Sequence, residues 1–196
     1  MSKKGNLFVV TGPSGAGKGS VLAELFKIKE NIFFSVSATT RQPRPGEKEG
    51  INYFFVSKDR FEEMISCNEL LEHAEYVGNY YGTPENPVNE MLKLGKDVIL
   101  EIEVQGALQI KKKRPDAITV FIAPPSFEVL ASRLRNRGTE SDEVVAMRLE
   151  QAKNECRYMS DYDYIVINDS LEKAVSDLSA VITATGCRSE NVDLRF

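Results

Sequence analysis

The chain has 196 residues, 42% hydrophobic and 28% charged, with a net charge of -4. That length suits one domain with a sizeable core, and the mild acidity excludes a general nucleic-acid binder, whose affinity rests on many Lys and Arg contacts to phosphates. His73 is the lone histidine and Cys67, Cys156 and Cys187 are far apart, which gives no Cys/His zinc pattern; no apolar run nears the ~20 residues of a membrane helix and "MSKKG" lacks a signal-peptide hydrophobic region, so the expectation is a cytoplasmic chain with reduced thiols.

In chain order, "NLFVVT" (6–11) is a short β-branched apolar run and reads as a buried strand. A glycine-rich loop follows, and then Val21, Leu22, Leu25 and Phe26 fall on one helical face. Residues 34–92 break the rhythm: "FFSVS" and "YFFV" read as short strands flanking the polar, turn-forming "ATTRQPRPGEKEGIN". This stretch is expected to be an inserted subdomain, with too little apolar content to fold alone. Buried strands are then expected in "DVILEIE" (97–103), "AITVFIA" (117–123) and "YDYIVIND" (162–169). Helices are expected in "VQGALQIKKK", "SFEVLASRLRNR", "SDEVVAMRLEQAKNECRYM" and the closing "LEKAVSDLSAVITAT". Strands alternating with helices imply an α/β fold with a parallel central sheet wrapped by helices. No internal repeat or low-complexity linker interrupts the chain.

Gly12, Pro13, Ser14, Gly15, Ala16, Gly17 and Lys18 satisfy G-x-x-x-x-G-K between that first strand and helix. Small residues let backbone N–H groups curl around a phosphate, the helix presents its positive end, and Lys18 can reach the β- and γ-phosphates of a nucleotide. Gly19 stands where a hydroxyl usually faces Mg²⁺. Ser20 lies one residue later and can serve metal or phosphate from there; alternatively, ATP oxygens and water hold the metal.

The insert carries a second set of anion-binding groups. Arg41 and Arg44 are held apart by Pro43 and followed by a turn, a spacing at which two guanidiniums can grip one phosphate. Tyr53, Glu72, Tyr80, Tyr81 and Thr83 follow. A phenol can bond a phosphate, and a carboxylate such as Glu72 can accept from the adjacent N1–H and N2–H donors of guanine, a pair that adenine does not offer.

The segments "GPSGAGKG", "SVSATTRQPRPGE", "NYYGTP", "LEIEVQGA", "RLRNRGTES" and "VIND" resemble, in order, those of the guanylate kinases, from the first strand to about residue 184. The resemblance implies a single three-part P-loop nucleoside monophosphate kinase with a three-layer α/β/α core. The other parts would be a GMP-binding insert at 34–92 and a helical lid at 126–160. It implies transfer of the γ-phosphate of ATP to GMP with Mg²⁺ as cofactor. By position it assigns Ser37, Arg41, Arg44, Tyr53, Glu72, Tyr81 and Thr83 to GMP. Ser37 and Glu72 would touch the base, and Arg41, Arg44, Tyr53 and Tyr81 would hold the phosphate. Glu101-Ile102-Glu103 stands where the family often has Asp-Ile-Asp, which carries each carboxylate one bond further out. Glu103 is expected near the GMP ribose or base, and Glu101 toward the metal with Ser20.

Arg133 and Arg137 fall on one helical face at i, i+4, with Arg148 beyond "GTES". Taken alone they could pair with Glu140, Asp142 or Glu143; the resemblance makes them a lid over the phosphates. Phosphoryl transfer needs positive charge on the migrating group and exclusion of water. Asn168 and Asp169 are expected to seat the adenine. Two rival readings remain open: a P-loop kinase for AMP, dTMP or a ribose bisphosphate, and a scaffold of the same shape that binds protein ligands. Glu72 and Ser37 oppose the first, and the intact loop and lid arginines oppose the second. The expected state is monomer or homodimer, with "CRSENVDLRF" either a frayed tail or a dimer contact.

Overall fold

A computed structural model describes residues 4–76, 78–136 and 142–191. Its elements begin with β1 (Leu7–Thr11), α1 (Lys18–Ile28), β2 (Ile32–Phe34), β3 (Ala38–Thr39), β4 (Phe54–Phe55) and α2 (Lys58–Ser66). Next come β5 (Leu70–Tyr76), β6 (Asn79–Pro84), α3 (Glu85–Lys93), β7 (Asp97–Glu101) and α4 (Val104–Lys113). The chain closes with β8 (Ile118–Ala123), α5 (Phe127–Arg135), α6 (Asp142–Cys156), a 3₁₀ turn at Met159–Asp161, β9 (Tyr164–Ile167) and α7 (Leu171–Gly186).

The strands form a five-stranded sheet in the order β2-β7-β1-β8-β9 and a four-stranded sheet in the order β4-β3-β6-β5. The β2–β7 and β8–β9 pairs are parallel. Every residue of β1 and β8 is buried, which is why these strands are mostly apolar runs, broken only by buried threonines, rather than alternating ones. Edge strand β9 buries only Val166. The smaller sheet is mainly antiparallel, with Thr39 opposite Tyr81 and His73 opposite Gly82. "FFSVS" is therefore not one strand. Phe33 and Phe34 pair with Val98 and Ile99, the chain leaves that sheet at Ser35, and Ala38 starts the other sheet beside Phe54 and Gly82.

By contact density the chain divides within β1 into two compact units, residues 1–9 with 32–117 and residues 10–31 with 118–196. In the first, Ala38, Phe61, Met64 and Leu70 form a core under the small sheet, joined by Phe54, Val56, Ile65 and Tyr80. The Phe61 and Tyr80 rings stack with centroids 5.4 Å apart. Helix α2 starts at Ser57, whose hydroxyl accepts from the Arg60 N–H, an ordinary N-cap. In the second unit, α5 and α6 close on each other through Leu130, Leu134, Val145 and Ala152. No helix among the described residues is long and apolar enough to cross a membrane.

Candidate functional site

The second unit carries the glycine loop. Gly12 has φ 142°, and a Cβ there would lie 2.1 Å from the Ile122 carbonyl oxygen, so only glycine lets the loop turn away from β1 this close to β8. Gly17 has φ 89° and is the N-cap of α1. A Cβ there would lie 2.4 Å from Asn168 Nδ2. No side chain caps α1 and its first turn holds no acidic residue, which leaves its N–H groups to water or to an anion. Lys18 Nζ donates to the Gly12 carbonyl at 2.5 Å. The ammonium is thus held at the loop it is expected to serve.

Three long-range contacts brace this loop. Asn168 is 6% exposed and donates its amide to the Ala16 carbonyl at 2.7 Å. Arg148, on α6, donates to Ser14 Oγ at 3.1 Å. Arg133, on α5, donates from Nη2 to the Asn168 carbonyl at 2.9 Å, while its Nη1 is buried with no hydrogen-bond partner among the described residues. A buried guanidinium nitrogen without an acceptor is costly, and an anion at the loop would be a suitable acceptor. Asp169 and Ser20 are exposed. Arg137 and Glu140 lie outside the described residues.

The first unit carries the second cluster. Thr39 Oγ1 donates to the Tyr80 carbonyl at 2.9 Å and accepts from the Arg41 N–H at 3.2 Å. This joins "ATTR" to "NYYG" and brings Arg41 to Tyr53 and Tyr81. The Arg41 guanidinium lies 5.4 Å from the centre of the Tyr53 ring, and the Tyr53 and Tyr81 rings meet edge to face at 6.0 Å. Arg41 Nη2 donates to Glu47 Oε1 at 2.9 Å, and this bond holds the Glu47 carboxyl below its ordinary range. Burial, more than any nearby charge, pushes the Tyr53 phenol up, with Glu101 among the lesser causes; Tyr53 is a donor at neutral pH. Arg44 is exposed; its backbone N–H donates to the Glu47 carboxylate at 2.8 Å and its carbonyl accepts from the Glu47 N–H at 3.0 Å.

Glu72 lies in β5 and is 5% exposed. Thr83 Oγ1, on β6, donates to its Oε1 at 2.7 Å. Burial pushes the carboxyl above its ordinary value, opposed by the Thr83 hydrogen bonds and by Lys113. The Ser37 carbonyl accepts from the Phe54 N–H at 2.9 Å, which ties the start of β3 to edge strand β4. Glu101 ends β7, and Glu103 is exposed at the N-cap of α4.

The guanylate kinase family model matches residues 4–185. The chain belongs to the guanylate kinase family. It is 54% identical over 196 residues to the guanylate kinase of Lactococcus lactis subsp. lactis, covering 100% of this chain and 96% of that protein. It is 52% identical over 190 residues to the guanylate kinase of Halalkalibacterium halodurans, covering 97% and 93%. The crystal structure of guanylate kinase from Anaplasma phagocytophilum matches at TM-score 0.79 and 32% identity, covering 97% of this chain and 91% of that one. The expected family and α/β P-loop fold are both borne out.

Relative to the expectations for a guanylate kinase, the structure gathers Ser14, Lys18, Arg133, Arg148 and Asn168 around one loop, and Arg41, Tyr53 and Tyr81 around another. Of the pair expected at the adenine, Asn168 is buried and donates to the Ala16 carbonyl, and Asp169 is exposed. Sequence reasoning passed over Thr39, the Glu47 partner of Arg41, and the contacts of α4 to β5. Only Glu47 had a local signal, a carboxylate after the Pro-Gly turn.

Proposed function

We propose that this protein transfers the γ-phosphate of ATP to GMP, giving ADP and GDP. The observation that carries the choice of acceptor is Glu72, a carboxylate 5% exposed with one oxygen taken by Thr83. A buried carboxylate pushed toward its neutral form is worth retaining where donors arrive to meet it, and guanine supplies two adjacent ones. In this reading Ser37 assists at the base. Arg41, Arg44, Tyr53 and Tyr81 hold the GMP phosphate, with Arg41 exchanging Glu47 for a more highly charged partner. Glu103 lies toward the ribose or base. Residues 34–92 act as the acceptor insert and 126–160 as the lid.

On the donor side, Gly12, Pro13, Ser14, Gly15, Ala16, Gly17, Gly19 and Ser20 surround the β- and γ-phosphates, with Lys18 as the cation. The bond from Lys18 to Gly12 and that from Arg148 to Ser14 are the ones an incoming phosphate would replace. The Arg133 Nη1 without a partner would gain one. Asn168 and Asp169 lie toward the adenine. The acceptor oxygen of GMP is already ionised and attacks the γ-phosphorus in line, so His73 is not needed as a base. Catalysis comes from positioning and from charge neutralisation by Lys18, Arg41, Arg133, Arg137 and Arg148.

Mg²⁺ suits the donor set: a hard cation that keeps waters and phosphate oxygens needs few protein ligands, and the described residues hold no cluster of three or more His, Cys, Asp or Glu side chains for a metal. The exposed Ser20 hydroxyl would hold it, with Glu101 through water. When bound it neutralises charge on the β- and γ-phosphates. The test is ADP formation from ATP and Mg²⁺ with GMP, AMP, dTMP or ribose 1,5-bisphosphate offered in turn. GMP is expected to exceed the rest by far; turnover with another acceptor would refute the part given to Glu72 and Ser37.

A further inference from the structure

Helix α4 meets β5 at three points on one helical face, since Gly106, Gln109 and Lys113 stand at i, i+3 and i+7. β5 is the edge strand of the small sheet, so its outward backbone groups have no strand to bond. Gln109 takes that place. Its Oε1 accepts from the His73 N–H at 3.2 Å and its Nε2 donates to the His73 carbonyl at 2.9 Å. One carboxamide thus reproduces the two-way pairing of a neighbouring strand residue.

The pairing falls where β5 is irregular. The register against β6 shifts between Leu70 and His73, and such an irregularity re-aims the side chains within it. Gln109 holds one end at His73, and Lys113 holds the other by donating Nζ to the Leu70 carbonyl at 3.2 Å. Glu72 lies between them. Its Oε2 is so near α4 that a Cβ at Gly106 would come within 2.6 Å of it, and within 3.2 Å of Ile102 Cδ1. Thr83 holds the other oxygen at 2.7 Å. Glycine weakens a helix relative to alanine by about 0.5–1 kcal/mol, so Gly106 gives up helix stability for space at this carboxylate.

We propose that Gln109 and Gly106 are positioning residues that set base selectivity: Gln109 pins the irregular turn of β5 and Gly106 leaves the room in which the Glu72 carboxylate can meet both guanine donors. The proposal rests on the reading that Glu72 accepts from the guanine base. Misplacing a recognition group by 1 Å can cost on the order of 100-fold. The GMP phosphate grip of Arg41, Tyr53 and Tyr81 stands on other residues.

The experiment compares kcat/KM for GMP with that for inosine monophosphate, whose base keeps N1–H but lacks the exocyclic amino group. KM for ATP is measured alongside, in the native protein and in Q109A, G106A and E72Q. In Q109A and G106A the GMP-to-IMP ratio is expected to fall about 10-fold, with KM for ATP held within about 2-fold. G106A is informative even if Q109A does not fold, because alanine favours the helix and leaves the Gln109 pairing in place. A purely structural role for these residues would lower both acceptors alike and leave the ratio unmoved. If E72Q collapses the ratio while Q109A and G106A keep it within about 2-fold of native, the proposal is overturned and the part given to Glu72 stands. If E72Q itself leaves the ratio unchanged, that underlying reading fails, and the proposal with it.

Discussion

Gly17 and Gly19 lie two residues apart in the same loop and first helical turn, yet alanine is expected to act oppositely at each. At Gly17 φ is 89° and a Cβ would stand 2.4 Å from Asn168 Nδ2. A left-handed backbone costs an ordinary residue about 1–2 kcal/mol. Asn168 must also move, which breaks its 2.7 Å bond to the Ala16 carbonyl and leaves buried polar groups unpaired at about 1–3 kcal/mol. The sum for Gly17→Ala is a loss of about 2–5 kcal/mol, or about 4–20 °C in Tm at roughly 2–4 °C per kcal/mol for a chain of this size. At Gly19 no atom lies within 4 Å of a Cβ. There alanine removes only glycine's unfavourable helix entropy, and Gly19→Ala is expected to gain about 0.5–1 kcal/mol. Thermal and urea unfolding of the ligand-free protein measure both. In an Asn168→Ala background the clash vanishes, so Gly17→Ala should cost less there by about 1–3 kcal/mol. A loss under about 2 °C for Gly17→Ala, a loss of any size for Gly19→Ala, or additivity in the cycle would each refute the reasoning.

Four further outcomes are expected. Glu72→Gln replaces one acceptor oxygen with a donor that opposes a guanine N–H, so kcat/KM for GMP should fall about 10- to 150-fold, a hydrogen bond to a charged group being worth about 1.5–3 kcal/mol. The folded-state pKa of Glu72 is raised, so its cost to stability is absent below the unfolded carboxyl pKa and grows as pH rises toward the folded one; Glu72→Gln should be more stable than native at neutral pH in denaturant titrations and should lose that advantage in acid. Burial pushes the Tyr162 phenol up to about 12; stability should therefore decline between the ordinary tyrosine pKa and about 12, and Tyr162→Phe should flatten that decline. Arg133→Lys keeps the charge but removes the guanidinium fork that reaches the Asn168 carbonyl, and kcat should drop roughly 100-fold or more in single-turnover assays.

How much was legible varies by element. The apolar runs of β1 and β8 and the helical pattern of α4 and α7 stand close to where periodicity puts them, because burial on both faces or on one stripe writes itself into adjacent residues. Helices α2 and α3 and strand β5 carry no comparably clear local pattern. "LLEHAEY" mixes two buried leucines with charged residues, and its strand character comes from pairing with β6 and from Gln109 rather than from alternation. In the site, Lys18 and the glycines were legible because a loop that needs left-handed backbone must spell out glycine locally. The partners were not. Ser14 meets Arg148 across 134 residues of chain, Ala16 meets Asn168 across 152, and His73 meets Gln109 across 36.

The sequence by itself determined a phosphate loop between a buried strand and a helix, an insert rich in arginine and tyrosine, and a buried-strand framework to carry them. These depend on backbone conformation and on the local spacing of apolar side chains. Only the tertiary structure decided that Asn168 braces the loop, that Gly17 has no room for a methyl group while Gly19 has ample room, and that α4 both crowds and aligns Glu72. Those outcomes depend on distances of a few ångströms between segments remote along the chain, which no local periodicity encodes.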